Sequence, residues 1–297
     1  MRPPGAPVEP GPLPAPPGDR RARLLGGGRP RREGARGVAV AVASTAVFFT
    51  AAAVVISRSP GWPAIRAAFF HGGVFVESFP KVLERFGRNV FIFSVAEVLV
   101  LVLALVIAVL RTLPGPVFFP LRLLATAYAD LFRGVPTILV IALLGFGMPA
   151  LRLSGVPSSD TFWAIVALVL VYSAYVAEVY RAGIESIHPS QAAAARALGL
   201  SRAQSLRYVI LPQAVRRVVP PLLNDFIGLQ KDSALVAFLG GVTEGLRQAQ
   251  IIVAATFNFT PYVVLALIYV AITIPMTRLV DWLVARERAQ RETGTAL

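Results

Sequence analysis

The chain has 297 residues, 56% hydrophobic and only 15% charged, with a mean hydropathy of +0.66; ordinary soluble domains carry roughly a quarter charged residues. The formal charge of +13 is almost entirely arginine, Lys81 and Lys231 being the only lysines. With no cysteine there is no disulfide or thiolate chemistry, and the two histidines, His71 and His188, lie too far apart in sequence to suggest a metal site.

Residues 1–36 are rich in Pro, Gly and Arg. Such a composition cannot bury enough apolar area to offset its ordering entropy, so this stretch is expected to be a disordered cytoplasmic tail. Residues 37–57 form a first apolar block, long enough to cross a hydrocarbon core about 30 Å thick. A signal peptide is the competing reading, but the charged and apolar regions are too long and no small-residue cleavage pattern follows at Arg58. Residues 58–85 mix aromatic and charged side chains and are expected as an external loop containing an interfacial or amphipathic helix.

The remaining apolar blocks predict spans over 89–110, 121–148, 162–180, 233–256 and 262–284. Pro136 removes a backbone donor and should kink the second of these. The fold class is therefore all-α and polytopic, with six spans in total and both termini on one face. The N-terminal tail, the segment 188–213 with its flanks, and the polar tail 286–297 hold most of the arginines. The positive-inside rule makes that face cytoplasmic, which explains the basic balance without nucleic acid.

The segment "HPSQAAAARALGLSRAQSLRYVILPQ" at 188–213 reads as a helical hairpin. Pro189 suits a first helical position, and the Ala, Arg and Leu residues after it favour helix. Gly199 fits a left-handed cap. Ser201 with Gln204 three residues later makes a capping box for a second helix, which Pro212 should close. The alanine-rich face is nearly smooth and permits close approach by another surface.

These residues resemble the cytoplasmic loop of permease subunits in bacterial ABC importers, in the branch for polar amino acids such as histidine, glutamine, glutamate and arginine. That loop reads E-A-A, three residues, G, nine residues, I-x-L-P. Here Ala194, Ala195, Gly199, Leu211 and Pro212 match, Val209 replaces the isoleucine and Ala193 stands where the glutamate would be. The segments "YADLFRGVP" (128–136), "AYVAEVYRAGIESI" (174–187), "LPQAVRRVVPPLLNDFIGLQKDSALVAFLGG" (211–241) and "FTPYVVLALIYVAITIP" (259–275) extend the resemblance across roughly residues 86–285.

The resemblance implies a five-helix, MetI-like transmembrane core over 86–285, with the block at 37–57 as an extra N-terminal span. It implies that Ala193, Ala194, Ala195, Arg196, Gly199, Leu200, Ser201, Leu211 and Pro212 couple this chain to an ABC ATP-binding subunit. An extracytoplasmic substrate-binding protein and a second permease copy or homologous permease would complete the importer in a bacterial cytoplasmic membrane. ATP and Mg would sit on the partner ATPase; no cofactor is expected in this chain and it is not expected to be an enzyme. Independently, the sequence holds no G-x-x-x-x-G-K-[ST], the phosphate-cradling loop of such ATPases.

Ionisable groups at membrane depth are costly and usually functional. Glu97 lies deep in the span 89–110 without a local partner, and either faces a polar cavity or is buried uncharged. Glu244 and Arg247, three apart in the expected span 233–256, can pair on one helix face or meet an amino-acid zwitterion. Glu178 beside Arg181 reads as packing or as a substrate contact. Asp130 with Arg133 resembles a structural segment of the same family. A secondary, ion-coupled amino-acid transporter is the alternative; it predicts an internal repeat, and none is visible.

Overall fold

The computed structural model describes residues 35–294. Residues 1–34, and with them nearly all of the expected N-terminal tail, lie outside the described residues, as do 295–297. All secondary structure among the described residues is helical. The chain divides into two units at Trp62/Pro63.

Among its described residues the first unit holds the helix α1 (Ala35–Ser57). Its apolar residues occur on every side, and none of its membrane-length stretch is buried. A helix apolar all round is suited to lipid rather than to one packed face.

A short helix α2 (Trp62–Phe69), all but its first residue in the second unit, leads to α3 (Gly72–Thr112). The expected loop at 58–85 is thus largely helix. His71 caps α3, its Nδ1 accepting from the Val74 N–H at 3.3 Å, and Pro80 sits inside the helix. Next come α4 (Phe119–Gly134), α5 (Thr137–Ala150) and α6 (Asp160–Glu185). The hairpin helices α7 (Pro189–Ala197) and α8 (Arg202–Ser205) follow, then α9 (Leu211–Asp232), a 3-10 segment at Ser233–Leu239, α10 (Gly245–Thr256) and α11 (Thr260–Gly294).

Among the described residues the expected count of six spans is not confirmed. Four helical stretches among the described residues are long and apolar enough to cross a membrane: Gly37–Ser57, Trp62–Thr112, Asp160–Glu185 and Thr260–Arg286. The fifth would be α4 with α5, bent by 101° at the break before Thr137. Pro136 was expected to kink a span; instead α4 ends at Gly134, because the residue before a proline is driven out of helical geometry and Val135 is extended at φ −98°, ψ 130°. The apolar run at 233–256 is not one helix either. It is a 3-10 segment, a break at Gly240, whose φ is +76°, and the 12-residue α10.

α3 is the central element. Its residues Ile92, Ala96, Val100 and Ala104 recur every four positions and pack with Ala164, Ala167, Leu168 and Val171 of α6 in one cluster. Nearer its start, Val82 and Phe86 join Ala249 of α10 and Val264, Leu265 and Ile268 of α11 in a second. Lipid offers no hydrophobic drive between helices, so small residues that allow close backbone approach matter most. Gly183 of α6 is one: a Cβ there would run into Val218 of α9. Gly183→Val should destabilise the fold by about 1–3 kcal/mol, as overpacking does. A thermal midpoint in detergent equal to that of the parent chain would show that α6 and α9 separate freely.

Candidate functional site

The hairpin between α6 and α9 has the local geometry its residues dictate. His188 caps α7, its Nδ1 accepting the Ser190 N–H at 3.2 Å, and Pro189 takes the first helical position. At the other end the Gly199 N–H donates to the Arg196 carbonyl at 2.9 Å and the Leu200 N–H to the Ala195 carbonyl at 3.2 Å. This crossed pair is a Schellman motif, which requires the left-handed residue that Gly199 supplies at φ +84°. Ser201 and Gln204 then exchange bonds: the Gln204 N–H to Ser201 Oγ at 3.2 Å and the Ser201 N–H to Gln204 Oε1 at 2.9 Å.

Pro212 does not close the second helix. The Leu211 N–H reaches back five residues to the Leu206 carbonyl, so Leu206–Ile210 forms one π-helical turn that runs on into α9. Pro212 falls in the first turn of α9, where its missing N–H costs little. The hairpin is therefore continuous with a long helix. It is also fastened at its root, since Arg217 of α9 donates to the Ser186 carbonyl at the end of α6.

Of the residues expected to couple to a partner, Ala193, Ala194, Arg196, Gly199, Ser201, Leu211 and Pro212 are exposed, and Leu200 is half-buried. Ala195 is buried. Sequence reasoning did not single out Leu198, which is 83% exposed. Leu206 and Tyr208 are also exposed on this segment, and an apolar side chain held out on a capped polar loop was the available signal.

The intramembrane groups separate. Glu97 of α3 is half-buried, within electrostatic reach of Asp225 of α9 and Tyr180 of α6. One carboxylate oxygen of Asp225 is buried without a hydrogen-bond partner; sequence reading passed over Asp225 because α9 is too polar to look like a span. Glu178 of α6 receives Arg111 of α3 at 2.8 Å, Arg133 of α4 at 3.7 Å and Arg181 of its own helix. Arg133 thus turns to Glu178 rather than to Asp130.

Glu244 and Arg247 do not pair through their side chains. Glu244 is fully buried as the N-cap of α10, its two oxygens accepting the Leu246 and Arg247 backbone N–H groups at 2.8 Å each. The Arg247 guanidinium donates to Gln250 at 3.3 Å. Beside the cap, Asn89 of α3 accepts the Gly245 N–H at 2.9 Å and donates to Ser233 at 3.3 Å. This clasp fixes the break between the 3-10 segment and α10. Among the described residues no group of His, Cys, Asp and Glu is placed to hold a metal ion.

Residues 113–289 match the family described as the inner membrane component of binding-protein-dependent transport systems. The chain is 34% identical over 216 residues to the probable glutamine ABC transporter permease protein GlnM of Bacillus subtilis (strain 168), covering 72% of this chain and 96% of that one. It is 33% identical to the arginine transport system permease protein ArtQ of the same organism, over 68% of this chain and 90% of the relative. A crystal structure of an amino acid ABC transporter with histidines superposes with a TM-score of 0.64 at 32% identity, over 71% of this chain and 96% of that chain. An inward-facing structure of the MetNI methionine ABC transporter shares the fold, with a TM-score of 0.52 at 22% identity, covering 68% and 95%.

Proposed function

This chain belongs to the inner membrane components of binding-protein-dependent transport systems, and from that premise we propose that it is the permease subunit of an ATP-driven importer of polar amino acids. The ATP-binding subunit docks on the hairpin around Gly199, and ATP hydrolysis takes place on that partner. A substrate-binding protein delivers cargo at the opposite face, and a second permease copy or homologue completes the path. The hairpin face is cytoplasmic, since arginines concentrate on that side.

The observation that carries this reading is the hairpin. It is doubly capped, rooted in α6 and α9, and exposes small and apolar side chains that the chain itself leaves unpacked. A rigid surface of that kind can pass a push from a partner to the membrane-length helix α6 and to α9. The similarity to glutamine and arginine permeases supports an amino-acid cargo. Within the path, Glu97 and Asp225 are the acidic groups suited to a cargo ammonium, because Asp225 has an oxygen without a partner. Glu244 is committed to its cap.

The test is uptake of labelled arginine, glutamine, glutamate and histidine into proteoliposomes, with and without the ATP-binding subunit. Uptake should require that subunit and ATP. Uptake that persists without it would identify an ion-coupled transporter instead.

A further inference from the structure

Three guanidinium groups from three helices converge on one carboxylate near the root of the hairpin. Arg111 lies in the last turn of α3, Arg133 in the last turn of α4, and Arg181 one turn beyond Glu178 on α6. Arg111 Nη1 is 2.8 Å from Glu178 Oε2, Arg133 Nη1 is 3.7 Å from the same oxygen, and Arg181 reaches both carboxylate oxygens and also Glu185. From there α6 runs about two turns to its end, where Ser186 accepts Arg217 and Gly183 fits against Val218. Glu178 therefore joins the block that carries the hairpin to the ends of α3 and α4.

We propose that Glu178 is a positioning residue for transport coupling, transmitting displacement of the hairpin root to α3 and α4 through its unequal arginine arms.

Geometry favours this over a purely structural ion pair. The Arg111 and Glu178 side chains are 12% and 24% exposed, dry enough to be less screened than a surface pair. Apolar side chains of similar volume would hold three helices together at least as well; a charged centre differs in letting its arms tighten and loosen separately. The Arg133 arm is the long one and the more exposed, at 39%. It leaves α4 immediately before the 101° break to α5, where extended residues can absorb a change of backbone angle, as hinges do.

This inference rests on the hairpin being the docking surface, and the experiment separates the two. The chain purified with its ATP-binding subunit is reconstituted with the binding protein, and labelled arginine, glutamine, glutamate and histidine are supplied together. Uptake, ATP hydrolysis and subunit retention are measured side by side. In Glu178→Gln the amount moved per ATP hydrolysed should fall about tenfold, within the range of ordinary coupling energies, while the ATP-binding subunit stays bound. Glu178→Asp should recover most of the ratio. Arg133→Gln, on the exposed arm, should lower it by a smaller factor, and serves if Glu178→Gln does not accumulate. A ratio equal to the parent's overturns the inference, whether uptake and hydrolysis are both normal or both reduced in step. Gly199→Val provides the separation: if it transports normally, the docking reading fails and this inference with it. If it is uncoupled while Glu178→Gln keeps its ratio, only the role of Glu178 is lost.

Discussion

Gly199→Val is expected to abolish ATP-driven uptake while leaving the chain inserted in the membrane. Gly199 has φ +84°, a region costly for any side chain and most of all for a β-branched one. The strain, on the order of 1–3 kcal/mol, must break either the Schellman bonds to Ala195 and Arg196 or the register of Ser201 with Gln204. A Cβ at Gly199 meets nothing within 4 Å. The damage is thus confined to the backbone direction of the hairpin and spares the packing of α3 and α6. Gly199→Asn makes the control, because asparagine tolerates the left-handed region; it should keep most of the uptake. Equal loss in both variants would mean that the docking face rejects any side chain there, whatever its backbone preference.

The largest effect on folding is expected from Glu244→Ala. Glu244 is 0% exposed and closes two N–H groups at the start of α10. Removing a cap costs about 1 kcal/mol, and leaving a buried donor unsatisfied costs about 1–3 kcal/mol more. The loss should appear as a markedly lower thermal midpoint in detergent and poor accumulation in the membrane. Glu244→Asp keeps a carboxylate of a type well suited to N-caps and should restore most of the stability. If Glu244→Ala were as stable as the parent and changed only which amino acid is taken up, the cap would be incidental and a cargo contact the better account.

The cap at Gly199 was legible in the sequence, and the cap at Glu244 was not. The C-terminal cap of α7 and the capping box of α8 depend on residues at most five apart, so the positions of Gly199, Ser201 and Gln204 sufficed to foresee them, whereas the His188 cap at the start of α7 was passed over. Glu244 was misread because an apolar run at 233–256 does not reveal where its helix starts. Glutamate is not among the favoured N-caps; the pair Gly240–Gly241 was the available sign of a break. Pro136 announced an interruption but not a 101° turn, since the angle depends on what α4 and α5 pack against. Pro212 was read as a stop, whereas a proline in a first turn is harmless. The partners of Glu178 were out of reach: Arg111 is 67 residues away in sequence, and only the packing of α3 on α6 brings the two together.

Single-cysteine cross-linking at the hairpin tests the central claim most directly. The sequence contains no cysteine, so Leu198→Cys, at a site 83% exposed, introduces the one thiol of this chain. Treated with a short thiol-to-amine cross-linker in membranes that also hold the ATP-binding subunit, this variant should form one adduct, to that subunit. Adding Gly199→Val should remove the adduct. Active transport with no adduct from Leu198→Cys, nor from Ala193→Cys or Ala194→Cys, would contradict docking at the hairpin.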